Sequence, residues 1–172
     1  MAAMLVTMNA KVWAASTCAL YVKCMVTTAV QGGKAFESGT RPPEDARLNL
    51  ARRFKGVKQT YGLESSVPKG GDEKDEARLL AAREEDHRWR RIVSNDLETI
   101  PIGLLVFGAG VLTDANTAVH VLAMASFTGC RIAHTIAYAR KMQPQRGYLW
   151  MAAHASVLLG AANVVVSGIF GH

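Results

Sequence analysis

The chain has 172 residues, a formal net charge of +6 and a hydrophobic content of 49%. Its apolar residues are gathered into four long runs, so the composition favours insertion into a membrane over a single water-soluble domain. The positive charge does not indicate a nucleic-acid partner, because acidic residues offset most of the basic ones between residues 34 and 91 and no regular aromatic residues are interleaved for base stacking.

The first predicted elements are four membrane-spanning helices. Each apolar run has the roughly 20 residues that a spanning helix needs. One such run also fits a buried helix of a soluble protein, but four together favour an all-α, up-down four-helix bundle that forms one membrane domain over residues 1–172. No basic residue precedes Lys11, so we expect the first run to be a retained helix and not a signal peptide. The runs cover residues 4–30, 92–112, 117–139 and 148–170.

Basic residues are distributed unevenly between the loops. The long loop at about residues 34–88 and the turn at residues 140–146 are rich in Lys and Arg, whereas residues 113–116 and the C-terminal Gly171-His172 have none. Because Lys and Arg accumulate in cytoplasmic loops, the pattern predicts cytoplasmic basic loops and lumenal or exterior termini. The long loop is expected to contact anionic lipid, and it includes a Gly70-Gly71 break before a charged helical segment.

Two polar stripes lie inside the second and third apolar runs. Helical spacing places Arg91, Asn95 and Glu98 on one stripe, with Asp96 on a neighbouring face. Because an ionisable side chain at mid-bilayer costs about 3 kcal/mol or more, such residues are expected to be paired or to face a polar cavity. The third run carries a second stripe at the same spacing: Arg131, His134, Thr135 and Tyr138.

Two interpretations of these stripes remain open. In the structural one, Arg131 pairs with a carboxylate of the second helix and the other polar groups bond across helices. In the functional one, the stripes and Arg146 bind an anionic, peptide-like ligand such as glutathione, whose carboxylates suit arginine. An adjacent guanidinium lowers the pKa of a thiol from about 8.5 and so supplies a nucleophilic thiolate. The cysteines have no spacing that predicts a metal site or a disulfide.

These segments resemble the signatures of the membrane-associated proteins in eicosanoid and glutathione metabolism, the MAPEG family. Residues 87–100 are similar to the family's second-helix signature, and residues 131–138, followed by Pro144-Gln145-Arg146, are similar to its third-helix signature. Lys34-Ala35-Phe36 with Pro43-Glu44-Asp45 resembles the motif after the first helix. The likeness is closest to the microsomal glutathione transferases and prostaglandin E synthases of this family.

The resemblance implies a homotrimer in the endoplasmic reticulum or mitochondrial outer membrane, with glutathione bound at helix interfaces toward the cytoplasm. It implies that Arg146 stabilises the thiolate and that Asp45 is a second catalytic position. The glutathione-binding positions implied by the resemblance are Arg91, Asn95, Glu98, Arg131, His134, Tyr138 and Arg146. The loop at residues 47–88 is longer than the family's usual loop.

Departures from the family pattern favour one activity. Gly147 and Ser94 stand where the prostaglandin synthases have a serine and an arginine, Trp150 replaces a tyrosine, and the turn before Arg146 is about one residue short. The expected function is therefore conjugation of glutathione to hydrophobic electrophiles, with reduction of lipid hydroperoxides as a further reaction of the same thiolate. The alternatives are a glutathione-dependent prostaglandin endoperoxide isomerase and a non-catalytic, lipid-binding adaptor, a branch that lacks much of the arginine-rich pocket.

Overall fold

The computed structural model describes residues 7–54, 56–63 and 73–170, and these residues form an all-α fold. Each predicted apolar run lies in a different long helix, which confirms the predicted all-α fold with four helices. The four helices are α1 (Met8–Ser38), α2 (Glu73–Leu112), α3 (Thr117–Ala139) and α4 (Gln145–Phe170), and two short 3-10 turns occupy Pro43–Arg47 and Ala51–Arg53. Residues 4–6 of the first run, the Gly70-Gly71 break and Gly171-His172 lie outside the described residues.

Short connections place α2, α3 and α4 in up-down order, as predicted. Residues 113–116 join α2 to α3, and Asn116 begins α3 by accepting a hydrogen bond at its side chain from the Val119 amide at 3.2 Å. Residues 140–144 join α3 to α4, which pack against each other. Lys141 has a positive φ of 60° in this turn, and Pro144 immediately precedes α4.

The chain divides into two compact units, and the boundaries fall inside α1 and α2. The first, called the bundle unit here, contains residues up to Cys24 and from Ser94 onward, so it includes parts of all four helices. Its apolar core is built around Leu20, Phe107, Met124 and Phe127, each of which is fully buried. The Phe107 and Phe127 rings lie 5.7 Å apart between centroids.

Polar side chains tie α1 and α4 to this bundle. Asn9 donates from Nδ2 to the carbonyl of Ala115 at 2.7 Å, and the Trp13 indole donates to the carbonyl of Leu104 at 3.0 Å. On α4, Asn163 donates to the Asn116 carbonyl at 3.0 Å. Two of these bonds reach carbonyl groups in the turn between α2 and α3, and the Trp13 bond reaches a carbonyl inside α2, so each bond joins a different pair of neighbouring segments.

Two glycines allow helices to approach the aromatic core closely. A Cβ atom built on Gly103 would lie 2.5 Å from Phe127 Cζ, and one built on Gly160 would lie 2.6 Å from Phe107 Cε1. Both distances are shorter than any van der Waals contact between carbon atoms. Small residues at such positions are typical of helix contacts in membrane proteins, where close backbone approach replaces the hydrophobic driving force.

The second unit, called the loop unit here, covers Met25–Val93. The loop after α1 is folded back by buried Gln59, whose Nε2 donates to the Phe36 carbonyl at 3.0 Å and whose Oε1 accepts from the Arg41 amide at 3.2 Å. The Thr60 amide donates to the Gly39 carbonyl at 3.0 Å. The charged segment before the second apolar run is helical, as predicted, because α2 begins at Glu73.

Within the described residues, α2 and α4 are long and apolar enough to cross a membrane. Their most apolar 18-residue windows have mean hydropathies of 1.3 and 1.7. The first helix carries Lys11 and Lys23, and the third carries Arg131. Membrane crossing by α1 and α3 therefore stays a prediction based on length, and the ionisable side chains inside them need partners in the fold.

Replacement of glycine by alanine should have opposite effects on stability at Gly160 and at Gly129. Gly160→Ala should destabilise the protein by about 1–3 kcal/mol, because the added methyl overlaps the fully buried Phe107 ring. Gly129→Ala, at a helix position with nothing within 4 Å, should be neutral or stabilising by up to about 1 kcal/mol through helix propensity. Thermal unfolding of the two detergent-purified variants checks this, and equal melting temperatures would contradict it.

Candidate functional site

A buried three-residue ion cluster lies inside the bundle unit. Arg131 of α3 donates from Nη2 to Asp96 Oδ1 at 2.5 Å, and the Lys23 ammonium of α1 pairs with Asp96 Oδ2. The side chains of Lys23, Asp96 and Arg131 are 9%, 3% and 0% exposed. Arg131 was predicted to pair with a carboxylate of the second helix, and this is confirmed; the carboxylate belongs to Asp96, which lies beside the predicted stripe.

The cluster contains two cations and one carboxylate, and several nearby polar atoms have no partner. Arg131 donates through Nη2, but its Nε and Nη1 are buried without a hydrogen-bond partner, as are His134 Nδ1 and Thr135 Oγ1. Buried polar groups in native proteins are almost always satisfied by protein, water or ligand. The orphaned guanidinium atoms of Arg131 therefore fit an additional acceptor of negative character, such as a carboxylate.

A second group of predicted residues meets at the junction of α3 and α4. Tyr138, in the last turn of α3, lies between His134 and Arg146: the His134 and Tyr138 rings make an edge contact with centroids 5.7 Å apart. On the other side, Arg146 Cζ lies 4.3 Å from the centre of the Tyr138 ring. A guanidinium at this distance over a ring is attracted by the ring's negative face, worth about 0.5–2 kcal/mol.

Arg146 occupies the first turn of α4, which adds to its attraction for anions. The helix begins at Gln145, and the positive end of the helix dipole lies at this terminus. Arg146 is half-buried, so its side chain is anchored on Tyr138 while part of it stays accessible. This combination suits capture of a thiolate or a carboxylate.

The predicted stripe on the second helix is not directed into the core of the bundle unit. Glu98 is exposed and accepts a hydrogen bond at Oε1 from the Ser94 hydroxyl at 2.8 Å, and Asn95 is half-buried. On this part of α2, the side chain that is buried is that of Asp96. Arg91, which belongs to the loop unit, is also exposed.

Asp45, the second predicted catalytic position, also belongs to the loop unit. It lies in the first 3-10 turn and is half-buried, and its Oδ2 accepts from Arg41 Nε at 2.8 Å and Nη2 at 2.7 Å. The Arg41 guanidinium in turn lies 5.2 Å from the centre of the Phe36 ring. The carboxylate is thus held in an ion pair within its own loop.

Lys23 is the residue of the cluster that sequence reasoning did not include. The available signal was its position, because Lys11 and Lys23 are the two charges that interrupt the first apolar run. An ionisable residue in such a run predicts a partner inside the fold. Which partner it meets depends on how α1 packs against α2.

The comparison with protein families identifies the family of the chain. Residues 9–166 match the model of the MAPEG family, and this range includes all the predicted site residues. No curated protein and no solved structure matches the chain.

The ion cluster predicts a large effect for loss of its single carboxylate. Asp96→Asn should reduce stability by about 3–5 kcal/mol, because it removes the buried carboxylate that contacts both Lys23 and Arg131. Asp114→Asn, the same change at an exposed position of the bundle unit, should have little effect on stability. Unfolding of the purified variants in denaturant measures the difference.

A second variant separates charge from packing at this position. Adding Lys23→Met to Asp96→Asn removes one of the two cations that contact residue 96, and the double variant should recover part of the lost stability. If Asp96→Asn is no less stable than Asp114→Asn, the cluster does not stabilise the bundle.

Proposed function

Because the chain belongs to the MAPEG family of membrane proteins, which are mostly glutathione-dependent enzymes, we propose that it is a membrane-bound glutathione transferase. It joins the thiolate sulfur of glutathione to an electrophilic carbon of a hydrophobic substrate that enters from the bilayer. The thiol proton is released to solvent; the electron pair of the broken bond leaves with the leaving group, or stays on the substrate and takes up a proton when the thiolate adds to a double bond. Reduction of lipid hydroperoxides is a further reaction of the same thiolate: attack on the peroxide oxygen breaks the O–O bond, and a second glutathione completes the reaction to the lipid alcohol, water and glutathione disulfide.

The observation that carries this proposal is the placement of Arg146. Its guanidinium lies over the Tyr138 ring at the positive end of α4, so two sources of positive potential act at one point. Both lower the free energy of a thiolate relative to a thiol, and a larger thiolate fraction gives faster attack on an electrophile. Tyr138 and His134 fix the orientation of Arg146 from the α3 side.

The other proposed glutathione contacts are assigned by matching side chains to the carboxylate, amide and amine groups of glutathione. The orphaned donors of Arg131 fit a carboxylate, and Asn95, Glu98 and Arg91 provide partners for amide, amine and carboxylate groups. Asp45, paired with Arg41, is proposed as a second catalytic position outside the thiolate site. Gly147, beside Arg146, has no hydroxyl with which to assist thiol activation, which favours transfer over endoperoxide isomerisation.

The exposed position of Glu98 supports assembly as a homotrimer. A carboxylate facing lipid from an apolar segment costs about 3 kcal/mol or more, and the neighbouring Leu97, Ile102 and Leu105 are also exposed in one protomer. A second copy packed on this face covers the apolar side chains and brings Glu98 into a polar interface. Glutathione then binds between protomers, on the side that we expect to face the cytoplasm of the endoplasmic reticulum or outer mitochondrial membrane.

A matched pair of arginine variants tests the nucleophile. Arg146→Ala should abolish the ultraviolet absorbance of bound glutathione thiolate and reduce turnover about 100-fold or more, since loss of one charge-stabilising donor commonly has this effect. Arg140→Ala, an equal change of charge at an exposed position in the same turn, should retain both. Both variants are purified in detergent and titrated with glutathione.

The outcomes separate the proposal from other activities. A thiolate signal in Arg146→Ala equal to that of the unaltered protein would contradict the role of Arg146. A signal with an electrophile consumed but glutathione recovered unchanged would instead indicate isomerisation. Absence of any signal in the unaltered protein would favour a lipid-binding adaptor.

A further inference from the structure

A histidine inside the apolar run of α4 has no role in the proposed glutathione site. His154 is the only residue of the run 148–170 whose side chain titrates near neutral pH, and α4 is long and apolar enough to cross a membrane. The side chain is half-buried in the bundle unit. An ionisable residue in such a segment indicates a functional site in which its polar atoms have partners.

The structure fixes the orientation of the His154 ring. Its Nδ1 lies 2.8 Å from the Trp150 carbonyl oxygen, and the ring is stacked on the Trp150 indole with centroids 4.0 Å apart and planes tilted by 35°. A carbonyl oxygen only accepts hydrogen bonds, so Nδ1 carries the hydrogen. In the neutral imidazole Nε2 is then an acceptor.

The acceptor nitrogen of His154 is not used within the protomer. The hydrogen bond and the ring contact of this residue with other described residues involve Nδ1 and the ring face. Nε2 is not among the fully buried atoms that lack a partner, so it is accessible from outside the protomer. Because an acceptor left unbonded in apolar surroundings costs free energy, we expect a donor from another molecule at this atom.

His154 lies on the same stripe of α4 as the proposed thiolate site. Arg146, Trp150 and His154 stand at i, i+4 and i+8, so their side chains follow one another along the helix, one turn apart. Eight residues of helix span roughly 12 Å along its axis. The Trp150 side chain, which is 44% exposed, provides apolar surface between the two ends of the stripe.

We propose that His154 determines which acceptors the protein conjugates, by accepting a hydrogen bond at Nε2 from a hydroxyl group of the electrophile. The carbon that the thiolate attacks lies at Arg146, the apolar body of the substrate lies along Trp150, and the hydroxyl lies at the remote end. The selected class is therefore elongated apolar electrophiles that carry a hydroxyl group. This inference rests on the proposed transferase reaction and names the acceptor class of that reaction.

Two features favour a substrate over lipid or a second protomer as the partner of His154. The hydrocarbon core of a bilayer supplies no hydrogen-bond donor. The surface proposed for packing between protomers lies on α2, around Glu98, and not on the α4 stripe. An acceptor that meets a thiolate at Arg146 extends along that stripe, where a hydroxyl group satisfies Nε2.

Two matched chalcones test the assignment with detergent-purified protein and glutathione. One carries a para-hydroxyl on its benzoyl ring, remote from the electrophilic carbon, and the other carries a para-methoxy group, which has no hydrogen to donate. In both, the sulfur bonds to the β-carbon, the π-electron pair moves to the carbonyl oxygen, and the enolate takes up a proton from solvent at the α-carbon. The ratio of kcat/KM for the hydroxyl compound to that for the methoxy compound is measured, and comparison between variants cancels their difference in intrinsic reactivity.

Three variants assign the preference to His154. His154→Phe keeps a ring beside Trp150 and removes the acceptor, so the ratio should fall about tenfold because the hydroxyl loses its partner. The value of kcat/KM for the methoxy compound should change little. His154→Gln retains an acceptor oxygen and should restore part of the ratio. Tyr148→Phe, which removes a hydroxyl at an exposed position of the same helix, should leave the ratio unchanged.

An unchanged ratio in His154→Phe overturns the inference. An equal loss of kcat/KM for both chalcones also overturns it, because such a loss indicates a role of His154 in packing or assembly. The same conclusion follows if the unaltered protein forms the glutathione thiolate but conjugates neither chalcone. Absence of the thiolate signal in the unaltered protein is a different failure, since it contradicts the proposed transferase reaction itself.

Discussion

The bundle unit depends on one carboxylate that lies between two cations. Asp96 of α2 binds Lys23 of α1 and Arg131 of α3 at once, so a single side chain connects three helices where no water-filled surface is available to solvate the charges. A buried ion pair gives less stability than an apolar contact of equal volume, but its geometry is far more demanding. The cluster therefore selects one arrangement of helices, and His134 and Tyr138 follow from the position of Arg131 on the same face of α3.

This arrangement explains why the two predicted polar stripes have different surroundings. Because Asp96 is turned toward α1 and α3, its neighbours Asn95 and Glu98 are turned away from the core of the bundle unit. The stripe on α3 is largely buried, while the stripe on α2 remains partly accessible. The structural interpretation therefore applies to Arg131, which pairs with Asp96, and the functional interpretation of the accessible residues stays a prediction.

Sequence reasoning recovered what depends on segment length and helical spacing. The long apolar runs predicted the helices, and the spacing of His134 and Tyr138 predicted a shared face. It did not identify Asp96 as the partner of Arg131, because Asp96 and Glu98 are two carboxylates on one helix and the choice depends on helix rotation. The return of the segment around Tyr61 to the end of α1 was also missed, since long-range backbone bonds of the loop create it and no local pattern encodes them.

The turn between α3 and α4 determines where Arg146 lies relative to the Tyr138 ring. Each residue added to or removed from a helix start rotates the next side chain by about 100°, so the contact of the Arg146 guanidinium with the ring depends on both the length of the turn and the rotation of α4. An insertion or deletion in residues 140–144 would therefore move the charge away from the ring without altering any residue of the site.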